Sequence, residues 1–155
     1  NNVITGNNVT IIGNIFVKGN VILGENCVIG NSTELKNCVL LNRVQVPHYN
    51  YVGDSVLGNG AHLGAGAICS NLKSDKSTVR VKTDNVVYDT GIRKFGAALA
   101  DNADVGCGCV LNPGTVVGKN TRIYPLVSVR GVIPADRIVK SAECSVKMEV
   151  RPCAE

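Results

Sequence analysis

The chain has 155 residues and 45% hydrophobic content, enough for one domain with its own core. With 17 Gly and only 4% aromatics, that core must be built from small aliphatics, which argues against a conventional two-layer domain of this size. The formal net charge of +4 is spread along the chain; it calls for no nucleic-acid partner and suits a small anionic ligand.

The chain opens on Asn1-Asn2, without Met and already in a repeating pattern, so a preceding segment is expected. Aliphatics recur every six positions at Ile11, Val17, Leu23, Ile29, Leu35 and Leu41, and again at Leu99, Val105, Leu111, Val117, Ile123 and Val129. Four residues after each stands a second small or aliphatic position, among them Cys27, Thr33, Val39, Ala103, Cys109, Thr115 and Thr121. A period of six matches neither a helix nor a long alternating strand. It fits short strands joined by tight bends, three of which close a triangular coil of about eighteen residues, three times the period. Coils stacked at roughly 4.8 Å would pile the leading aliphatics into interior columns. The expected fold is all-β, a single-stranded parallel β-helix of hexapeptide repeats over residues 1–135, with 136–155 as a C-terminal tail.

Two interruptions break the pattern, and in a solenoid insertions become loops on one face. The first runs from Val46 through Pro47, His48 and Tyr49 to Tyr51, after which Val52-Gly53-Asp54 resumes through a shortened step to Leu57. The second, about residues 72–98, carries Lys73, Lys76, Arg80, Lys82, Arg93 and Lys94. Its Ser77–Lys82 stretch alternates, which predicts a projecting hairpin or arm. No run approaches the ~20 apolar residues that cross a bilayer, so no membrane partner is expected. No signal peptide is expected. Seven cysteines, odd in number and without framework spacing, point to buried thiols in a reducing cytoplasm. Cys107 and Cys109 form a CxC with no further ligand pair nearby, so no metal site is expected.

The interruptions carry a resemblance. Ile29–Lys36 (IGNSTELK), His48–Asp54 (HYNYVGD) and Leu63–Asn71 (LGAGAICSN) are similar to the acetyltransferase domain of bacterial bifunctional N-acetylglucosamine-1-phosphate uridyltransferases. They are closer still to stand-alone hexapeptide proteins labelled UDP-N-acetylglucosamine pyrophosphorylase. Lys94-Phe-Gly-Ala and Leu111–Gly118 are similar to archaeal-type relatives. The resemblance spans most of residues 10–135 and implies a left-handed β-helix. It also implies acetyl transfer from acetyl-CoA to the amine of glucosamine 1-phosphate, in a cytoplasmic homotrimer with its active site between subunits.

Such chemistry needs a base for the amine proton, a donor for the thioester oxyanion and cations for phosphate. The resemblance implies His48 as the base and Lys18, Lys36, Tyr51 and Asn71 as sugar-phosphate ligands, with Lys18 standing where an Arg is common. It further implies the Ala65 backbone N–H, Cys107 and Tyr124 as the coenzyme side, and Lys76 and Arg80 as basic residues of the arm. Two positions depart from the family pattern: His62 replaces a second sugar-binding Asn, and Lys76 lies one residue before the expected loop Lys, which falls opposite Ser77.

Each residue also has a plain structural reading. His48 can be a loop histidine, Lys18 and Lys36 solvated lysines, Tyr51 a corner packing residue, Asn71 a cap, and the cysteines core filling. Two other functions are open at this point. One is a catalytically silent sugar-phosphate-binding or oligomerisation module related to sugar nucleotidyltransferases. The other is a β-helical metalloenzyme like the carbonic anhydrases, which needs three histidines where this chain has two.

Overall fold

The computed structural model describes residues 2–83 and 85–141. Among them there is no helix, and the chain winds as a parallel β-helix of about 8 turns. Most strands are two or three residues long, as a repeat with a bend every six residues requires. Phe16–Leu23 and Glu34–Leu40 run longer because they continue around a corner. Each side pairs in parallel with the same side of the next coil. On the first face, Phe16, Glu34, Tyr51, Ile68, Val110 and Ser128 follow one another in register. On another, Thr10, Val28, Gln45, His62, Asp104, Arg122 and Ile138 do so. That pairing reaches Val139, past residue 135; residues 142–155 of the expected tail lie outside the described residues.

The interior is made of aliphatic columns. Leu35, Val52, Cys69 and Leu111 form one, and Ile29, Val46, Leu63, Val105 and Ile123 another, all essentially inaccessible to water. Burying a leucine this completely contributes about 2 kcal/mol, so stability accumulates coil by coil. Two expected column positions are wrong. Leu41 is 39% exposed while Leu40 is fully buried, and Cys38 takes the core position expected for Val39. The cause is a register shift: Lys18 pairs Lys36, but Val21 pairs Cys38, so the second coil drops one residue at that corner.

The arm is an antiparallel hairpin, Arg80–Lys82 with Val87–Asp89, closed at its base where Leu72 bridges Lys94. It does not stand clear of the coil as a projecting element would. Val79 is fully buried, and a β-carbon on Gly114 would lie 2.9 Å from the Arg80 carbonyl oxygen. The alternating stretch thus lays one face against the stack and leaves the other in water.

Cys27, Cys38, Cys69 and Cys109 are buried and Cys107 is exposed. Burial pushes the Cys38 and Cys69 thiols up to about 12. The stability they contribute is complete below the ordinary thiol range and is lost as pH rises towards 12. Iodoacetamide at pH 8 should therefore modify Cys107 in the folded protein and spare the four buried thiols until denaturant is added. Peptide mass mapping checks this, and early labelling of Cys69 would contradict the packing described.

Candidate active site

The first interruption becomes a corner. Tyr49 adopts a left-handed conformation (φ 54°), which turns the chain sharply after Pro47 and leaves His48 exposed at the bend. Asn50 fixes this bend from inside. Its side chain is 2% exposed and accepts the His48 backbone N–H at 3.0 Å, while its amide donates to the carbonyls of Gly64 (2.8 Å) and Ala67 (3.2 Å). The same corner then repeats up the stack. The carbonyls of His48, Ala65 and Cys107 accept from the N–H groups of Gly66, Gly108 and Leu126 at 3.0, 2.8 and 2.9 Å. His48, Ala65 and Cys107, far apart in sequence, are thereby successive rungs of one edge, with Tyr124 just before its next rung. The Ala65 N–H donates to no acceptor among the described residues. Leu126 is 82% exposed with a φ of 62°, and Lys140 Nζ lies 4.9 Å from the Tyr124 ring centroid.

The face beyond this corner collects the expected sugar-phosphate residues. Lys18, Lys36 and Gly53 are in register on neighbouring coils, and Tyr51 leads into the same rung. The Tyr51 ring lies over Gly53, where a β-carbon would meet its Oη at 2.6 Å; only glycine lets the hydroxyl reach the lysine column. Burial pushes this hydroxyl's pKa up, with Lys36 and Asn71 opposing the rise and Glu34 and Asp54 adding to it. Asn71 is 8% exposed and donates to Asp54, whose other oxygen accepts from Asn37 at 3.3 Å. A neutral hydroxyl, two amines and a carboxamide held by a carboxylate form a polar surface suited to a hydroxylated, anionic ligand.

Lys76 and Arg80 stand apart from that surface. Lys76 closes a turn through its N–H to the Lys73 carbonyl (3.0 Å). Arg80, 3.4 Å from Asp89, lines a separate cleft under the arm. His62 sits on the face of Gln45, Asp104 and Arg122, where its Nδ1 is 2.9 Å from Asp104 Oδ1 and Asp104 Oδ2 accepts from Arg122 Nε at 3.1 Å. Among the described residues, no group of three His, Cys, Asp or Glu side chains could hold a metal ion. Among the same residues no helix is long and apolar enough to cross a membrane. Sequence reasoning missed Asn50 and Asp54. Both belong to the stretch that carries the resemblance, and the available signal was an Asn and an Asp at bends where any turn residue would serve.

Residues 1–93 match the profile of the GMPPB C-terminal domain. A bifunctional sugar-1-phosphate nucleotidylyltransferase/acetyltransferase of Sulfurisphaera tokodaii is 35% identical over 94 residues, 61% of this chain and 23% of that protein. The bifunctional protein GlmU of Methanococcus aeolicus is 32% identical over 112 residues, 72% of this chain and 27% of that protein. The chain thus spans about a quarter of the length of these relatives. Among solved structures, a variant of AntD, an N-acyltransferase from Bacillus cereus in complex with dTDP-4-amino-4,6-dideoxyglucose and coenzyme A, superposes with a TM-score of 0.67. The match covers 95% of this chain and 83% of that one at 16% identity, so the likeness is one of fold: the left-handed parallel β-helix.

Proposed function

The chain belongs to the GMPPB C-terminal domain family, and from that premise we propose that it is a CoA-dependent N-acyltransferase acting on an amino-sugar 1-phosphate of the glucosamine 1-phosphate kind, in the supply of nucleotide-sugar precursors. The observation that carries this reading is the edge on which an exposed imidazole (His48) and an unused backbone N–H (Ala65) occupy consecutive rungs. The acceptor amine attacks the thioester carbon of acetyl-CoA. His48 takes the amine proton as the C–N bond forms, and the Ala65 N–H stabilises the oxyanion. The C–S bond then breaks and the coenzyme leaves as a thiol. Lys18 and Lys36 bind the phosphate, while Tyr51 and Asn71 hold the sugar. Lys18 binds it as a point charge without the planar fork of an Arg.

Coenzyme A runs along the edge past Cys107 to Tyr124. The relatives support this class of reaction by name, and AntD's complex pairs an amino sugar with coenzyme A. The enzyme works as a homotrimer in the cytoplasm, the edge of one copy being closed by its neighbour. The test gives the protein acetyl-CoA with glucosamine 1-phosphate and other amino-sugar phosphates, follows free thiol, and measures mass in solution. Saturable thiol release from a trimer is expected. No release with any acceptor would leave a silent binding or oligomerisation module, and a clean monomer would remove the shared site.

A further inference from the structure

We propose that the cleft between the arm and the coil is a binding site for a diphosphate group. It has a volume of about 510 Å³, and its lining includes Lys73, Arg80, Lys82 and Arg130 together with Ser70 and Asn112. That volume lies within the range of about 300–1,000 Å³ typical of small-molecule sites. Three of the four cations come from the arm, at its entry and on its first strand, and the fourth, distant in sequence, from the bend after Ser128–Val129.

The arm's docking brings them together, and that docking is built in. Val79 is fully buried, and Gly114 and Gly131 pass directly beneath the carbonyls of Arg80 and Lys82. Two of the cations are already balanced, Lys73 by Asp75 and Arg80 by Asp89, each at 3.4 Å. Lys82 and Arg130 form no ion pair, and the Ser70 hydroxyl no hydrogen bond, among the described residues. Free like charges held across one cleft repel each other until an anion sits between them.

A single phosphate would have to be shared between the two. Two linked phosphoryl groups satisfy both, with Arg130 offering the planar fork that phosphate oxygens fit and Lys82 a point charge. The cleft continues the face that carries Lys18 and Lys36, since Ser70, Asn112 and Arg130 follow Gly53 rung by rung. It lies on the later coils, and the residues placed on the sugar phosphate above do not line it. Two kinds of molecule bring a diphosphate: coenzyme A, which carries one between its adenosine and pantetheine parts, and a nucleoside diphosphate.

Calorimetric titration of the full chain separates these sources without needing turnover, so the result does not depend on the acyltransferase reading. The probes are inorganic pyrophosphate, ADP, UDP, coenzyme A, AMP and inorganic phosphate. Saturable binding of pyrophosphate and at least one diphosphate compound is expected, at least tenfold tighter than AMP or phosphate and weakening with salt. The double variant Lys82→Glu/Arg130→Glu should lose at least tenfold, and the gentler Lys82→Gln/Arg130→Gln a smaller amount, with circular dichroism confirming the coil in each. Binding by coenzyme A alone among the organic probes assigns the site to the coenzyme, and binding by ADP or UDP as well assigns it to nucleoside diphosphates generally. Phosphate binding as tightly as pyrophosphate, no saturable binding, or an affinity untouched in both double variants would overturn the proposal.

Discussion

Alanine at His48 should lower kcat for acetyl transfer to glucosamine 1-phosphate by about 10²–10⁴-fold, the usual contribution of a positioned general base. The loss should fall on kcat more than on KM, because the imidazole accepts a proton only as the C–N bond forms. His48 is exposed, and its tie to the fold is through its backbone N–H and carbonyl. Its removal should therefore leave the thermal unfolding midpoint within a degree or two, which separates loss of chemistry from loss of fold. Thiol release that is insensitive to the substitution would remove His48 as the base. Attention would then pass to His62, whose ring is already oriented by Asp104 and Arg122.

Asn50→Ala should have the largest effect on stability of any polar substitution near the site, on the order of 3 kcal/mol. The side chain is buried and serves three backbone groups on two coils. Truncation leaves the His48 N–H without its partner, at about 1–3 kcal/mol for a stranded group, and takes the second donor from the Gly64 and Ala67 carbonyls, which keep the backbone N–H groups of Ala67 and Tyr51. Urea unfolding followed by circular dichroism reads the change. Activity should fall along with stability, because the amide sets the bend that presents His48. Asn50→Asp, which keeps the acceptor but loses the donors, should unfold at lower urea than the wild type. An Asn50→Ala protein as stable as the wild type would mean that the bend is held by Tyr49 and Pro47 alone.

The coil was legible because its determinant is a period, and Ile29, Leu63, Val105 and Ile123 recur at positions that only stacking explains. The exchange of Leu40 for Leu41 was not legible. A coil that drops one residue at a bend changes phase without any change in composition, and two adjacent leucines hide which one turned inward. The candidate site was legible in a different way. His48 and Ala65 drew attention through the interruption and its resemblance, but their sharing an edge depends on coil length, which the backbone hydrogen bonds reveal. Asn50 reads in sequence as an ordinary turn residue, since nothing local distinguishes a carboxamide aimed inward from one in water. The hairpin was foreseen from its alternation. Its collapse onto the stack was not, because that depends on Val79 meeting Gly114 across more than thirty intervening residues.

The left-handed bends at Tyr49, Gly66, Gly108 and Leu126 lie on successive rungs beside the edge of His48, Ala65 and Cys107. The middle two carry no side chain, and the outer two carry bulky, largely exposed ones, with Leu126 Cδ2 lying 2.8 Å from where a β-carbon on Gly108 would stand. The result is a gutter with bare backbone at Gly66, a stop at Tyr49, and a second stop where Leu126 leans over Gly108. Its span is quantised by the coil rise, so the distance between Tyr49 and Leu126 is three rises, roughly 14 Å at the usual strand spacing. A slender chain laid in it is gauged like a rod between two pegs, and the fold can change that gauge only by whole rungs.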